Sequence, residues 1–480
     1  MAKIEINAEL VVLGAGPGGV AAAFRAADEY KNAKQTDKKV VLINKYSDIG
    51  GVCLNVGCIP SKALLHMAEV INSNKEMAEQ GLDLGANNKL DKKAILKWKD
   101  SIVAKLSQGL SGLAKLRGVE LVTGIGEFSS ANEIIVKDGE DEKVIKFKNA
   151  VIATGSDPIN LPFIPKDKRI FDSTGALKLA NPTGKLVVLG GGIIGCEMAT
   201  VYNALGAEVI IVEMLDQIMP GADKDMVSPC AKIMNSRGIK TLLKTKVTSV
   251  EALKSGLKVT VVNADGDESI IDCEQMLVAV GRVPNCKSIS TEKADLELDD
   301  KGFIKVDKYL RTNVSHIYAI GDVIGQPMLA HKATAEGRVA AEIITGHRVH
   351  FGALCIPSVA YTDPEVSWVG VTEQEAKDQG LDYKVAVFPW MACGRSLCQG
   401  RSEGKTKIIA DKKTGVILGA AIVGKIAGDL IAEFGFAIEM RATVEDLALT
   451  IHPHPSLAET AMLAAEVWEG TVTDLMPPRK

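Results

Sequence analysis

Two thiols stand five positions apart in "GGVCLNVGCIPSK", Gly50 to Lys62, fenced by three glycines and followed by Pro60. Cys53 and Cys58 cannot both lie in one regular helix and be bonded, because five residues at ~1.5 Å rise separate them by more than ~7 Å. The chain must bend between them, and Gly57 makes that possible. A helix then runs on through "SKALLHMAEVINSNKEMAEQ", so a thiol near its start has its thiolate stabilised by the helix dipole. A disulfide closing so short a loop adds little through chain entropy, which favours redox chemistry as the purpose of the pair. Two other readings stand beside it. One is metal ligation, although no second Cys or His pair completes four ligands at zinc-like spacing. The other is two ordinary buried thiols.

The second group able to do chemistry lies near the C-terminus, in "IHPHPSLAE". His454 precedes Pro455, which pushes its backbone toward extended geometry and presents the imidazole from a bend. Glu459 follows five residues on. Ser456-x-x-Glu459 also reads as a capping box, so helix capping competes with catalysis for that carboxylate. A lone histidine in such a loop is commonly structural, and His452 is read that way.

Two glycine loops accompany these groups. Gly14, Gly16 and Gly19 form G-x-G-x-x-G between the strand-like "ELVVLGAG" and the helical "GGVAAAFRAADEY"; Gly190, Gly192 and Gly195 repeat the pattern, with Ile193 opening the second helix. The first glycine permits a tight turn, the second lets backbone N–H groups approach a pyrophosphate, and the third lets the helix lie close on the strand. A carboxylate ending the second strand hydrogen-bonds a ribose diol and repels a 2′-phosphate, so Glu213 in "IIVEM" points to NAD over NADP. The first unit has Asn44 there, which can bond ribose hydroxyls without the charge or simply begin a turn.

The elements around these residues read as a βαβ unit over the first 45 residues, with "KKVVLIN" as its second strand. A helical region to about Gly118 and strand-like "VELVTGIGEF" and "NEIIVKDG" follow, and then the βαβ pattern recurs. About 130 residues separate the two units, so two nucleotide-binding domains are expected. From about Ile356 the texture shifts to alternating strands such as "TKIIADKKTGVILGAAIVG" and then helices, an α+β domain.

At 480 residues and 51.0 kDa the chain is too long for one core. A net charge of −4 and no run of five basic residues argue against nucleic acid or an anionic membrane as main partner. The start of the chain shows no signal peptide, and the apolar stretches are short and glycine-broken. Nine scattered cysteines are no secreted disulfide framework. A soluble cytoplasmic protein is expected.

A dinucleotide loop, then "GGVCLNVGCIPSK", then a second loop resembles the flavin-dependent pyridine nucleotide–disulfide oxidoreductases, over essentially the whole chain. "ATGS" (Ala153 to Ser156) is similar to their crossover between flavin and NAD domains, and "TNVSHIYAIGD" (Thr312 to Asp322) to their second flavin motif. "QPMLAHKA" is similar to the segment beside the flavin ring, and "VAVGRVPN" to the closing strand of the NAD domain. The resemblance implies an α/β fold of two Rossmann-like domains plus a C-terminal α+β dimerisation domain. The expected division is 1–155 for FAD, 156–281 for NAD, 282–352 completing the FAD site, and 353–480 for the interface.

It further implies FAD bound by Gly14, Gly16, Gly19, Asn44, Gly126, Asp322 and Ala330, with Cys53 and Lys62 beside it. NAD would be bound by Gly190, Gly192, Ile193, Gly195 and Glu213, and by position alone Val247, Gly281 and Arg282. Asn44 departs from the family's usual carboxylate. Within the family the similarity is greatest to members that oxidise dihydrolipoamide. Glutathione reductase would favour NADP with arginines where Glu213 stands, mercuric reductase carries a C-terminal cysteine pair absent here, and the small thioredoxin reductases carry a C-x-x-C in the NAD domain.

The implied reaction has His454, oriented by Glu459, deprotonating dihydrolipoamide, whose thiolate attacks Cys53. Cys58, nearer the flavin, passes electrons to FAD and so to NAD+. Lys62 and Glu197 resemble an ion pair near the flavin's reactive nitrogen, and a glutamate buried unpaired in "GGIIGCEMATVY" would be costly. Expected partners are a second copy of the chain supplying the histidine, a lipoyl domain carrying the substrate, and the acyltransferase core of a 2-oxo acid dehydrogenase complex or the glycine cleavage system. The alternatives are another flavin disulfide reductase using NAD(P)H, or a non-catalytic flavoprotein redox sensor.

Overall fold

A computed structural model describes residues 4–82 and 90–476; the ends of the expected domain division fall outside it. The chain forms two units by its internal contacts. One comprises the chain up to Ser61, Lys92–Ile159 and Arg282–Gly352; the other comprises Lys62–Asp91, Asn160–Gly281 and the chain from Ala353 on.

In the first unit the strand Ile4–Leu13 lies between Val40–Asn44 and Asp141–Ile152, parallel to both. Glu120–Thr123 extends the sheet on one side and Ile317–Ala319 pairs with the end of Asp141–Ile152 on the other, again in parallel. Leu10, Val11 and Val12 have no exposed surface, as a parallel strand covered on both faces requires. Each such side chain contributes about 1.5–3 kcal/mol on burial.

The stretch "VELVTGIGEF" reads as one strand but forms two, Glu120–Thr123 and Ile125–Ser130. Gly124 separates them at φ +137, where a Cβ would stand 2.6 Å from the Lys137 carbonyl oxygen. The second piece then joins an antiparallel meander with Glu133–Asp138 and the first half of Asp141–Ile152. The helix Pro17–Asn32 packs on Ala330–Ile344 with no room between backbones. A Cβ on Gly337 would come 2.3 Å from the Gly18 carbonyl oxygen, and one on Gly18 2.9 Å from that of Ala333.

The second unit holds a parallel sheet in the order Lys240–Leu242, Val209–Val212, Leu186–Leu189, Gln275–Val278, Ile170–Phe171. An antiparallel meander of Lys246–Ala252, Leu257–Val262 and Glu268–Cys273 shares a core with it. A five-stranded antiparallel sheet, Ser358–Ala360, Glu365–Gly370, Ile417–Gly424, Lys405–Asp411 and Tyr383–Pro389, follows.

The expected in–out alternation fails in that sheet: Thr406 to Ala410 and Gly419 to Gly424 are all buried. The helices Ala427–Glu439 and Glu459–Glu469 and, separately, Lys224–Ser236 pack on its strands, so little of it faces water. Even Lys407 is buried, its ammonium held among the carboxylates of Asp223, Asp225 and Glu373. Trp390 anchors the edge of this core, its indole N–H donating to Thr406 Oγ1 at 2.9 Å. Thr406 in turn meets Thr460 Oγ1 at 2.8 Å, which fixes the helix Glu459–Glu469 on the sheet.

Candidate active site

The two glycine loops, one in each unit, are near-copies. Gly14 (φ +107) and Gly190 (φ +105) turn the chain where a Cβ would lie 2.3 and 2.4 Å from the carbonyl oxygens of Ala153 and Ala279. Gly19 and Gly195 press so closely on Gly14 and Gly190 that a Cβ would meet their carbonyl oxygens at 1.8 and 2.0 Å. At Gly16 and Gly192 a Cβ would meet nothing within 4 Å, so the space above each helix start is open. Both residues are N-caps, of Pro17–Asn32 and Ile193–Ala204, and neither helix start has a side-chain cap hydrogen bond. First-turn N–H groups facing open space suit a pyrophosphate in each unit.

The residues closing the second strands behave differently. Glu213 is 9% exposed and accepts from the N–H groups of Gly191 at 2.6 Å and Leu215 at 2.8 Å. Asn44 spends both amide hydrogens on its own loop, donating to the carbonyls of Tyr46 at 2.6 Å and Asp48 at 2.9 Å. Its side-chain oxygen is the group left to meet a ribose. Gly126 packs beneath the strand ends, where a Cβ would stand 2.7 Å from Leu13 Cδ1. Val247 is 3% exposed and belongs to the core, so only its backbone can reach a ligand.

The cysteines fall on two helices, Gly51–Val56 and Cys58–Glu79, with Gly57 between them. A Cβ on Gly57 would stand 2.8 Å from the Val52 carbonyl oxygen. The first of these helices is seated directly on the first glycine loop. Gly50 N–H donates to the Ala15 carbonyl at 2.7 Å, and a Cβ on Gly51 would come 2.6 Å from Gly16 Cα. Cys53 is half-buried and Cys58 exposed. Burial pushes the thiols of Cys273 and Cys286 up to about 11 and that of Cys230 up to about 12, so these stay protonated at neutral pH.

Asp322 sits in the turn Gly321–Ile324 and accepts from Ser156 Oγ at 2.5 Å. Ser156 Oγ accepts in turn from Arg282 Nε at 2.7 Å. Gly321 N–H donates to the buried Glu336 at 2.7 Å, and Lys332 lies 2.9 Å from the same carboxylate. Ala330 opens the helix carrying both. Gly281 takes φ +121, a conformation open to glycine.

Within the second unit, Lys62 Nζ donates to both oxygens of Glu197, at 2.8 and 2.9 Å. Tyr361 N–H donates to the same carboxylate at 3.1 Å, and its ring lies 4.5 Å from Lys62 Nζ. His454 Nδ1 lies 2.8 Å from Glu459 Oε2. The other oxygen of Glu459 accepts from Ser456 N–H at 3.3 Å, while Glu459 N–H donates to Ser456 Oγ at 3.2 Å. Glu459 thus meets the imidazole with one oxygen and shares the reciprocal Ser456 bonds of a capping box with the other, although the helix Glu459–Glu469 itself begins after Ala458. His452 bonds Thr450 and Glu433, with a side chain only 6% exposed, as a structural histidine should.

Ser156, Glu336, Lys332 and Tyr361, which contact the candidate residues or their neighbours, are not marked by the sequence. Ser156 lies in the quoted "ATGS" and Tyr361 in "IPSVAYTDPEVSWVG", but nothing in either pattern marks the contact each makes.

Residues 8–337 match the family described as pyridine nucleotide-disulphide oxidoreductase, and residues 356–465 match its dimerisation domain. The chain is 52% identical over 472 residues to a dihydrolipoyl dehydrogenase of Vibrio cholerae, covering 98% of each. It is 44% identical over 466 residues to one of Geobacillus stearothermophilus, covering 97% of each. Among solved structures, LpdA from Mycobacterium tuberculosis is similar with a TM-score of 0.87 at 26% identity, over 96% of this chain and 99% of that one. The HOCl-induced flavoprotein disulfide reductase RclA from Escherichia coli reaches 0.83 at 25% identity, over 95% of this chain and 99% of that one. The cofactors of such enzymes, FAD and NAD, suit the two open glycine loops, and the dimerisation domain makes the assembly a homodimer. Among the described residues no helix is long and apolar enough to cross a membrane. With two dinucleotide loops, a cysteine pair seated on the first of them and matches along nearly its whole length, this chain belongs to the pyridine nucleotide-disulphide oxidoreductases.

Proposed function

We propose that the chain is a dihydrolipoyl dehydrogenase, oxidising dihydrolipoyl groups on a partner lipoyl domain to the cyclic disulfide and delivering the electron pair to NAD+. The observation that carries this reading is the His454 ring, anchored at 2.8 Å to Glu459 while its side chain is 78% exposed. With Nδ1–H donated to the carboxylate, Nε2 keeps its lone pair for a substrate proton.

A dithiol with a pKa of about 8.5 is mostly protonated at pH 7. His454 takes the proton of one substrate thiol, and Glu459 faces the imidazolium that forms. With Cys53 and Cys58 joined as a disulfide in the oxidised enzyme, the thiolate attacks Cys53 Sγ, the S–S bond to Cys58 breaks, a mixed disulfide forms and Cys58 leaves as a thiolate. His454 hands its proton to the departing Cys53 sulfur and takes that of the second substrate thiol, whose sulfur attacks the substrate sulfur of the mixed disulfide. Cys53 is released, oxidised lipoamide departs, and the electron pair resides on the two cysteines. Bound FAD supplies the two-electron carrier between this dithiol and NAD+.

Gly14, Gly16, Gly19, Asn44, Gly126, Asp322 and Ala330 would hold the flavin dinucleotide, with Lys62 and Glu197 beside its ring. Gly190, Gly192, Ile193, Gly195, Glu213, Gly281, Arg282 and the backbone at Val247 would hold NAD. The substrate arrives on a lipoyl domain belonging to the acyltransferase core of a 2-oxo acid dehydrogenase complex or to glycine cleavage, in the cytoplasm.

The test compares NAD+ reduction by dihydrolipoamide with NADH oxidation by glutathione disulfide on purified, FAD-loaded protein. Turnover with the first and none with the second is expected. The reverse would assign the chain to another disulfide reductase, and neither activity would leave a redox sensor.

A further inference from the structure

We infer that Tyr361 is a positioning residue for the Lys62–Glu197 ion pair, gripping both of its members at once. The inference rests on the proposed place of that pair beside the flavin. Glu197 is 3% exposed on a helix whose other buried residues are mostly apolar, where a carboxylate needs every hydrogen bond it can gain. Lys62 supplies two and the Tyr361 backbone N–H a third. The ammonium is the less constrained partner, at the end of a four-carbon stem with a third of its side chain exposed. An ion pair alone sets its distance to Glu197 but leaves its direction free. The Tyr361 ring, 4.5 Å from Nζ, adds the second point of attachment through its negative face.

The backbone around Tyr361 is built to hold it there. The strand Ser358–Ala360, paired antiparallel to Glu365–Gly370, delivers it to the helix carrying Glu197. Gly428 makes room behind the ring: a Cβ there would press 3.3 Å from Tyr361 Cε1 and 2.9 Å from Val359 Cγ1. A ring held just past the end of its strand can therefore aim a lysine that is less constrained.

The experiment uses FAD-loaded full-length protein with Tyr361→Leu, Tyr361→Phe and, as a control on the pair itself, Lys62→Met. Readouts are kcat with dihydrolipoamide, KM for NAD+, and the long-wavelength thiolate–flavin absorbance band after anaerobic two-electron reduction. Tyr361→Leu should lower kcat about tenfold and weaken the band, with KM for NAD+ within about twofold. Tyr361→Phe, which keeps an aromatic face, should stay within about twofold on all of them. A folded, yellow Tyr361→Leu protein matching wild type in kcat and band overturns the inference. So does Tyr361→Phe falling as far as Tyr361→Leu, which would assign the effect to the hydroxyl.

Should Tyr361→Leu not fold, phenylalanines of increasing fluorination at position 361 keep the shape while draining the ring face. A graded loss of band and kcat supports the inference, and a flat response overturns it. If Lys62→Met leaves band and kcat intact, the reading of the ion pair fails, and the role given to Tyr361 falls with it. Loss of all turnover in wild type, with the Tyr361 effect on the band retained, would instead strike only the proposed substrate.

Discussion

Glu459 divides its two oxygens between the imidazole of His454 and the N–H of Ser456, which would let one carboxylate orient the proposed base while it holds the turn before the helix Glu459–Glu469. Glu459→Gln keeps the shape and an acceptor oxygen but removes the charge that faces an imidazolium. Turnover of dihydrolipoamide should fall about 10- to 100-fold while the melting temperature stays within a few degrees. Steady-state kinetics beside thermal melting checks both.

A second carboxylate gives a pH prediction. Burial, joined by the nearby Asp429, Glu69 and Asp363 and opposed by the Gly428 N–H, pushes the Glu365 carboxyl up to about 7 from 4.5. The folded chain thus holds this proton more tightly than the unfolded one. Its contribution to stability is complete below about pH 4.5 and is lost as pH rises to about 7, by at most ~3 kcal/mol. Glu365→Gln should therefore gain in melting temperature over wild type at pH 8 and lose that advantage at pH 5.

At the level of elements, the glycine loops were legible because three separate demands at fixed spacing each call for glycine. The bend between Cys53 and Cys58 followed from helix rise once the two were taken as a bonding pair. The break at Gly124 was not legible, since apolar residues continue on either side and only the partner strands differ. Nor were the contacts of Ser156 with Asp322, 166 residues apart, or of Tyr361 with Glu197, 164 apart, because no local pattern encodes a meeting at that separation. The alternation expected near the C-terminus failed because the strands there are covered from more than one side. The contact between Pro17–Asn32 and Ala330–Ile344 offers a direct test, as Gly337→Val would force the two helices apart. A loss of more than about 3 kcal/mol in stability is expected, with release of FAD on gel filtration.

At the scale of the whole molecule, large apolar side chains stand open to water along the segment matching the dimerisation domain: Phe436 at 69%, Met440 at 65%, Leu449 at 74% and Ile451 at 94%. A second copy of the chain is the partner expected to cover them. Phe436→Asp with Ile451→Asp should give monomers on sedimentation and little turnover. If each site takes its cysteines from one subunit and His454 from the other, mixing Cys58→Ser and His454→Gln chains should restore about a quarter of wild-type activity. Chains that use their own histidine would restore none.

The first unit is assembled from three stretches of chain, and its last strand and the helix seated on Gly18 come after residue 300. On the ribosome, the earliest helix must therefore wait, its apolar flank uncovered, while more than half the polypeptide is still being made. Nascent chains stalled before the Gly337 codon should be the species that chaperones retain and proteases clear.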